Sequence, residues 1–555
     1  MNKKIKNTTK LLLVATFFSL QAGTLYNKDG LESKENFMIN AAKSYSERSG
    51  QIFAIPEKYS LVMGDYSLDG FSHFKKDGKI IKLNNLGTGH GTPWDYDTQV
   101  PIIMYGSGFI NSNKVVSKFV TQQDIVPTYA SILNTETPVD SDGKVLSEAL
   151  KKNTKKPKVI LTFVLDQVGL AYYNAHPKSF PEIKKIMQNG TFFKNAKVTH
   201  LESETAVGHT AIGTGAYPDN HGIPSNSFWM KGLGKETYSF GIDKEESPVW
   251  LKSPTLADVY DYKTKNKAII VSYCYAERAA MGMAGHGAMY KNADKDIVFY
   301  YNEKEDKFNT NEKYFSMPEY LKDMKVKPYL DKLTEGTGMW MEHKIPYLEK
   351  AKKVISKKEV FDNKAMLTPI FPVFEADMFE KVIQNEPIGQ DDITDLLYFT
   401  FKSTDLASHA FGFESEEARE VLESVDNQLG RLVRALEKKV GKDNYIVTIT
   451  ADHGSTPLVE KTGGLRALSD DMKDILNKQF DKLKNEIDVV VDVGGVEITL
   501  DEKELKRNGY KLDDVKKFLL AYKQKNNKIN KNLYKYVFTK DEILKLKYEK
   551  ELITK

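Results

Sequence analysis

The chain has 555 residues, of which 41% are hydrophobic and 11% aromatic. This composition excludes a disordered chain and predicts one large domain or two smaller ones. Four of the 80 basic residues precede residue 11, where no acidic residue occurs, so the rest of the chain balances its 76 acidic residues. That balance excludes a bulk electrostatic attraction to nucleic acid or anionic lipid. A single cysteine, Cys274, excludes an internal disulfide.

The first 22 residues have the pattern of a signal peptide. Four lysines precede the short apolar run 11–18, and small residues, including Ala22 and Gly23, follow it. We predict that residues 1–22 are cleaved and that the mature protein is periplasmic or secreted. The apolar run is much shorter than the roughly 20 residues that a transmembrane helix needs, so we expect no stable membrane anchor.

Apolar runs rich in β-branched residues indicate buried strands. These runs are Val100–Tyr105, Val159–Leu165, Ala268–Ser272, Leu396–Phe401 and Tyr445–Thr450. Such runs are typical of strands that are covered on both faces of a parallel sheet. Helical patterns lie between them, most clearly an apolar stripe over residues 416–439. The alternation predicts a doubly wound α/β fold with a mostly parallel central sheet and helices on both faces.

Composition also divides the chain. The polar segment 151–157 is typical of a linker between an N-terminal part, residues 35–150, and a main core, residues 158–555. Within the core, residues 291–385 and 456–533 are predicted insertions, and the second contains a small strand set around residues 489–493. We interpret most of their length as surface decoration and the remainder as a cap that shapes substrate access.

Carboxylates and imidazoles follow three of the predicted strands. Asp166 ends one strand, and Asp452 and His453 follow another directly. Asp405 and His409 stand four residues apart, which places them on one face of a helix. Oxygen and neutral imidazole ligands suit Zn²⁺ or a similar divalent ion. Because a single strand-end acid is usually a cap, the prediction of a metal site rests on their joint placement at the ligand-binding edge of such a sheet.

The most specific pattern lies between Glu204 and Ile223. It reads Thr205-Ala-Val-Gly-His-Thr-Ala-Ile-Gly-Thr-Gly, followed by Pro218-Asp-Asn-His-Gly-Ile. This pattern resembles the nucleophile segment of the alkaline phosphatase superfamily. The match is to its threonine-nucleophile branch, which includes the nucleotide pyrophosphatase/phosphodiesterases and certain bacterial alkaline phosphatases. The motifs Ser403-Thr-Asp-Leu-Ala-Ser-His-Ala-Phe-Gly and Thr450-Ala-Asp-His-Gly resemble later metal motifs of that branch.

The resemblance implies two zinc ions per chain and a set of ligands for each. For the first zinc, the set is Asp166, Asp452, His453 and the oxygen of Thr205. For the second zinc, it is Asp405, His409 and one more histidine. In the family, that last histidine lies in a Gly-His-Gly turn near the C-terminus, yet no histidine follows His453 in this chain.

His90 stands in the matching context. It lies in Gly87-Thr-Gly-His-Gly, and a strand and the pattern Asp124-Ile-Val-Pro-Thr follow it, as in the closing segment of the family. This order implies a circular permutant, in which residues 35–150 correspond to the C-terminal part of the family. The alternative is that His90 belongs to a separate N-terminal module and binds no metal.

The resemblance also implies roles for two polar residues. Asn226 matches the amide that holds a phosphoryl oxygen, with an ordinary turn residue as the alternative. Arg278 matches the arginine of a Lys-Asp-Arg tripeptide in the monoesterases and predicts a guanidinium clamp on phosphate. Ala276 occupies the lysine position of that tripeptide, which leaves the choice between monoesters and diesters open.

We therefore predict an exported, zinc-dependent hydrolase of small phosphate esters, without a nucleic-acid partner and of open oligomeric state. A phosphomonoesterase that acts through a phosphothreonine intermediate is favoured, and a phosphodiesterase or nucleotide pyrophosphatase is the alternative. A non-catalytic phosphate-binding remnant is disfavoured because every chemically demanding residue is retained. A sulfatase is excluded because Cys274 lies in no sulfatase motif.

Overall fold

The computed structural model describes residues 32–64, 73–76, 79–82, 87–152, 155–231, 234–242, 245–341, 343–345, 347–350, 361–526 and 529–554. The predicted signal peptide, residues 1–22, lies outside the described residues. Within the described ranges, no helix is both long and apolar enough to cross a bilayer.

A ten-stranded sheet forms the centre of the fold. Its strands, numbered in chain order, are β1 (Gln99–Tyr105), β2 (Lys114–Val116), β3 (Val120–Thr121), β4 (Val159–Leu165), β5 (Thr191–Lys197), β6 (Ile270–Tyr273), β7 (Ile297–Asn302), β8 (Lys307–Asn309), β9 (Asp395–Phe401) and β10 (Tyr445–Thr450). They lie in the order β8-β7-β6-β9-β4-β10-β1-β5-β2, and β3 also pairs with β5. The neighbours β7, β6, β9, β4 and β10 run parallel. Strand β1 is antiparallel to both β10 and β5.

The predicted strands are all present, with bounds shifted by two residues at most. Every residue of β4, β9 and β10 is buried. Side chains of β4 alternate between two apolar layers: Leu161 and Phe163 lie in the first layer, and Ile160 and Val164 in the second. Both faces of the sheet are therefore covered, as the continuous apolar runs require.

Helices build the two layers. Helix Glu416–Val440 contributes Leu422 and Leu429 to the first layer through its predicted apolar stripe. Helices Ile125–Leu133 and Leu256–Thr264 contribute to the second. The predicted doubly wound α/β fold is confirmed. The other helices are Lys34–Ser44, Asp95–Thr98, Leu170–Ala175, Pro181–Asn189, Thr205–Thr214, Pro218–His221, Glu277–Ala284, Lys327–Leu333, Ile370–Asn385, Ser403–Phe411, Val459–Thr462, Ser469–Phe480, Glu502–Arg507, Leu512–Ala521 and Lys540–Thr554.

A second, four-stranded sheet joins the two ends of the chain. Its strands lie in the order Val490–Val493, Glu497–Leu500, Ile52–Pro56 and Tyr534–Thr539, with antiparallel neighbours. A separate apolar cluster packs on this sheet. Segment 456–533, predicted as an insertion, thus pairs with residues that precede the central sheet in the chain. Segment 291–385, also predicted as an insertion, contributes β7 and β8 to the central sheet.

Short strands complete the fold. Leu61–Met63 pairs in parallel with Arg466–Leu468. A four-stranded ladder runs in the order Met339–Trp340, His343–Lys344, His73–Lys76 and Lys79–Lys82. The two-stranded ladders join Ser227–Met230 with Lys235–Tyr238, Gly241–Ile242 with Glu245–Glu246, Tyr347–Lys350 with Phe361–Asn363, and Lys523–Asn526 with Ile529–Asn532.

A close approach of two backbones positions the loop before β1. A Cβ atom on Gly87 would lie 1.6 Å from the carbonyl oxygen of His409. Only glycine therefore allows this loop to lie against the helix Ser403–Phe411. The carbonyl of Thr88 accepts a hydrogen bond of 2.8 Å from Nδ1 of His409, and the Thr88 hydroxyl donates to the carbonyl of Thr456. The loop before β1 is thus attached to residues that follow β9 and β10.

We expect Gly87→Ala to lower the free energy of unfolding by about 1–3 kcal/mol, because the added methyl group overlaps the backbone at His409. Thermal unfolding measures the effect. Gly64→Ala is the matched control, since no atom of the described residues lies within 4 Å of a Cβ at that position, and its effect should stay within about 0.5 kcal/mol. Equal melting temperatures for the two variants would contradict the close approach.

Candidate metal centre

The predicted carboxylates lie at one edge of the central sheet, where three adjacent strands end. Asp166 follows β4, Asp452 follows β10, and Asp405 lies in the first turn of the helix that follows β9. Because β9, β4 and β10 are parallel neighbours, their carboxyl ends meet at this edge. All three side chains are buried, with exposed fractions of 2% or less.

His90 approaches the same point from the loop before β1. Its ring stacks on that of His453 with centroids 3.7 Å apart, and its centroid lies 5.1 Å from that of His409. Oδ1 of Asp405 lies 3.2 Å from Nε2 of His409 and 3.6 Å from Nε2 of His90. The structure therefore brings together four residues that come from three separate sequence motifs.

The potential ligand atoms form overlapping groups. In each group, one ligand atom per residue lies within 4.8 Å of the others. The groups in this region are His90, Asp405 and His409; Asp166, Asp405 and His453; and Asp166, His209 and Asp452. Every side chain predicted to bind metal through a carboxylate or imidazole belongs to at least one of them.

Backbone carbonyls orient the three imidazoles. Nδ1 of His90 donates to the carbonyl of Ser203 at 2.8 Å, and Nδ1 of His453 donates to that of Gly454 at 3.0 Å. His409 makes the corresponding bond to Thr88. Since each carbonyl can only accept, each Nδ1 carries a proton, which leaves Nε2 as the nitrogen that can bind a metal ion. This arrangement is typical of metal-binding histidines.

Burial favours the neutral forms of His90 and His453. The pKa of His90 is lowered well below its ordinary value, first by burial and then by His453 and His409. Burial likewise lowers the pKa of His453. The pKa of Asp166 is raised, first by burial and then by the charge of Asp452. Neutral imidazoles beside crowded carboxylates form a site that favours an added cation.

Unpartnered buried atoms show that the residues fit a divalent ion. Within the described part of the chain, Oδ1 of Asp166, Oδ2 of Asp452 and Nε2 of His453 are buried and have no hydrogen-bond partner. Buried polar atoms are nearly always partnered in native proteins. An oxygen and nitrogen donor set of this kind suits Zn²⁺.

Thr205 is the first residue of the helix Thr205–Thr214, and its side chain is buried. Oδ1 of Asn226 accepts hydrogen bonds from the backbone N–H of Ala206 at 2.9 Å and from Nε of Arg278 at 3.0 Å. These bonds place the two residues predicted to hold phosphate beside the predicted nucleophile.

Lys402 is a residue of this site that the sequence analysis missed. Its Nζ atom lies 2.9 Å from Oγ1 of Thr205, 2.9 Å from Oδ2 of Asp166 and 2.7 Å from Oδ2 of Asp405. Burial lowers the pKa of Lys402, but the two carboxylates outweigh burial and hold it above its ordinary value. A lysine directly after a buried strand and three residues before a predicted ligand was the available signal.

His209 is the second missed residue, and it belongs to the helix of Thr205. Its Nδ1 donates to the carbonyl of Thr205 at 2.8 Å and lies 3.3 Å from Oδ2 of Asp452. Its Nε2 lies 3.0 Å from the hydroxyl of Thr400. Because both ring nitrogens have partners, His209 supports the first turn of this helix.

Known proteins resemble this chain over most of its length. Residues 160–552 match the profile of the family described as type I phosphodiesterase / nucleotide pyrophosphatase. Alkaline phosphatase PafA of Elizabethkingia meningoseptica is 26% identical over 434 residues, which span 70% of this chain and 76% of PafA. Alkaline phosphatase PhoV of Synechococcus elongatus is 25% identical over 347 residues, which span 57% of this chain and 62% of PhoV.

The crystal structure of wild-type PafA has the same fold, with a TM-score of 0.54, 24% identity, and coverage of 66% of this chain and 77% of PafA. The family match covers more than half of the chain, and it agrees with the resemblance of the Thr205, Asp405 and Asp452 motifs. The chain therefore belongs to the type I phosphodiesterase/nucleotide pyrophosphatase family of the alkaline phosphatase superfamily and is a phosphoric ester hydrolase.

Proposed function

We propose that this protein is a two-zinc phosphomonoesterase that acts through a phosphothreonine intermediate at Thr205. One observation carries the proposal. A single cation, Nζ of Lys402, lies within 2.9 Å of the Thr205 hydroxyl and of one carboxylate from each proposed ligand set. The nucleophile and both ligand sets are therefore within reach of one phosphoryl group.

The proposed ligands divide as the family resemblance implies. The first zinc takes Asp166, Asp452, His453 and the Thr205 oxygen, and the second takes Asp405, His409 and His90. When bound, the zinc pair would supply the Lewis acidity that lowers the pKa of the Thr205 hydroxyl and neutralises the leaving oxygen.

The chain's own residues position the reaction. The Thr205 hydroxyl loses its proton to solvent, and the Oγ1–P bond forms while the bond from phosphorus to the leaving oxygen breaks. The leaving oxygen takes a proton from solvent. Water then attacks phosphorus, Thr205 leaves and is reprotonated, and inorganic phosphate is released. Two donors hold Oδ1 of Asn226, so its Nδ2 amide is left to donate to a phosphoryl oxygen.

Charge favours monoesters over diesters. A monoester is a dianion and needs more positive partners than a monoanionic diester. Ala276, at the lysine position of the monoesterase tripeptide, is buried in an apolar cluster with Ala206 and Cys274. We assign the missing ammonium to Lys402, which acts on the phosphoryl group together with Arg278. A phosphodiesterase remains the second candidate, because the matched family profile is named for that activity.

We also propose that residues 35–150 are the permuted C-terminal part of the family and that the protein is exported. Strand β1 lies between β10 and β5 in the central sheet, and the loop before it supplies His90. The alternative of a separate N-terminal module is disfavoured, because a module would not share the central sheet. Export rests on the lysine-rich and apolar pattern of residues 1–22.

The ligand role of His90 is tested by metal content. We expect His90→Ala to lose one of two zinc ions per chain, as His409→Ala should, because both imidazoles serve the same site. The loss should exceed the roughly 10–100-fold weakening caused by removing an outer partner. Elemental analysis after dialysis measures it. His176→Ala, whose Nε2 bonds to the carbonyl of Phe413, is the control. Full zinc content in His90→Ala would refute this role.

The nucleophile is tested by trapping. We expect Thr205→Ala to lower kcat for a nitrophenyl phosphate monoester by at least about 1,000-fold, because the displacement loses its attacking oxygen. Mass spectrometry of acid-quenched enzyme should find one added phosphoryl group on the peptide that contains Thr205. Thr210→Ala is the control, since its hydroxyl donates to the carbonyl of Ala206. A normal turnover in Thr205→Ala would exclude the mechanism.

Monoester preference is tested at Lys402. We expect Lys402→Met to reduce kcat/KM for the nitrophenyl monoester about 100-fold and for the corresponding diester much less, because only the dianion needs the second positive charge. Zinc content should not fall, since the variant removes a cation from between two carboxylates.

Lys197→Met is the matched control for this test, because Lys197 is equally buried but pairs with Asp95 outside the site. A native enzyme that prefers the diester tenfold or more, or equal losses for both esters in Lys402→Met, would reverse the assignment.

A further inference from the structure

A cavity of about 300 Å³ opens beside the second proposed ligand set. His90, His409 and Asn226 are among the residues that line it. The four-stranded sheet and the turn between its first two strands form part of its wall, including Asp492 and Glu497. The cavity therefore begins where the second ligand set would stabilise the leaving oxygen and extends toward the segment predicted as an insertion.

Acidic side chains dominate this cavity. Those that line it are Glu202, Glu204, Glu236, Asp470, Asp492 and Glu497. Arg48 is the one lysine or arginine among the described lining residues. Its Nη1 atom donates to the carbonyls of Gly222 and Trp250, and its guanidinium lies over the rings of Phe228 and Trp250. The charge of Arg48 is thus held at the aromatic side of the cavity.

Two of the carboxylates are buried and incompletely partnered. Glu202 is 2% exposed and Glu497 is 7% exposed. Oε1 of Glu202 accepts a hydrogen bond from the N–H of Gly495, and Oε2 of Glu497 accepts a hydrogen bond from the N–H of Gly50. Oε2 of Glu202 and Oε1 of Glu497 have no hydrogen-bond partner in the described structure. Such atoms are costly to bury unless a donor or a cation completes them.

Electrostatics agree with this geometry. Burial raises the pKa of Glu497 to about 8, and Glu204 and Asp492 add to the rise against the hydrogen bonds from Gly50 and Ser49. Burial and the charges of Glu204 and Glu497 also raise the pKa of Glu202. Both carboxyls therefore keep their protons to a higher pH than an ordinary glutamic acid, and a cation bound beside them would favour their ionised forms.

The spacing of the carboxylates disfavours a further metal ion. The groups of described residues that could hold a metal include none of the six cavity carboxylates. A small divalent ion needs several oxygens around one point. An organic cation such as an alkylammonium spreads its charge and its N–H donors over a larger volume, which suits carboxylates that do not converge on one point.

We propose that the preferred substrate carries a positively charged leaving group, as in an aminoalkyl phosphate monoester. The inference rests on the proposed function and names the substrate class for the same site. The phosphoryl end lies near Lys402 and Arg278, and the ammonium end lies in the cavity between Glu202 and Glu497. Segment 456–533 thus contributes to substrate selection through Asp492 and Glu497.

A matched pair of substrates tests the proposal. 2-Aminoethyl phosphate and 2-hydroxyethyl phosphate have similar size but differ by one positive charge. We expect kcat/KM to favour the amine at least about tenfold at low ionic strength, with a smaller preference at high salt. Glu202→Gln and Glu497→Gln should each reduce this ratio toward one, since the amide keeps the shape and removes the charge.

Glu375→Gln is the control variant. Glu375 is a buried carboxyl that accepts a hydrogen bond from Tyr273 and does not line the cavity. For Glu375→Gln, the ratio of kcat/KM for the amine to kcat/KM for the alcohol should equal that of the native enzyme. A native ratio near one, or a ratio unchanged by both cavity variants, would overturn the proposal while leaving the phosphomonoesterase function intact.

Binding measurements separate the proposed preference for an ammonium group from the proposed phosphomonoesterase activity. Calorimetry of zinc-loaded Thr205→Ala with 2-aminoethylphosphonate and with ethylphosphonate measures the charge preference without turnover. Tighter binding of the aminophosphonate, lost in the double variant with Glu497→Gln, supports the cavity assignment even if neither ester is hydrolysed. Equal binding of the two phosphonates, or binding of neither, counts against it.

Discussion

The architecture depends on three buried carboxylates that meet at one edge of the central sheet. Asp166, Asp405 and Asp452 meet at the ends of adjacent strands, and isolated charges in such surroundings are strongly unfavourable. The protein offers Lys402 and several imidazoles, yet burial and Asp452 still raise the pKa of Asp166. The centre is therefore arranged for cations, and the neighbouring strands, loops and helix ends are placed to surround them.

The residues of this centre come from strands and loops that are neighbours in the sheet, although they are distant along the chain. Strand β1 precedes the other strands in sequence but lies beside β10, and the loop before it brings His90 over His453. Gly87 allows that loop to lie against the helix of Asp405, and hydrogen bonds from His90 to Ser203 and from His409 to Thr88 hold the rings in place. A change of chain order is compatible with one site because ligands converge through space.

Opposite charges divide the site into two ends. Lys402 and Arg278 lie near the Thr205 hydroxyl, where a phosphate dianion needs them. Glu202 and Glu497 line the same cavity as His90 and His409. In the proposed arrangement, the phosphate and ammonium groups of one substrate molecule would neutralise the charges at the two ends. Both ends together would then select this substrate more strongly than either end alone. The residues of the second sheet belong to this division because Glu497 lies on one of its strands.

The sequence by itself determined the strands, the fold class and the family. Continuous apolar runs such as Val159–Leu165 predict covered parallel strands, and the Thr205 motif is specific because its residue types and spacing serve one chemistry. The same local patterns placed Asp166, Asp405 and Asp452 at strand ends, where parallel pairing brings them together. Element bounds moved by a residue or two, since strand ends depend on pairing and not on composition.

Tertiary structure alone decided the contacts between distant segments. Lys402 reaches Thr205 although the two are 197 residues apart, and no local pattern marks such a pairing. Three other features arise in the same way. They are the antiparallel position of β1, the pairing of Ile52–Pro56 with Glu497–Leu500, and the cavity lined by Glu202 and Glu497. Periodicity reports which face of an element is buried, whereas the identity of the neighbour depends on the packing of the whole chain.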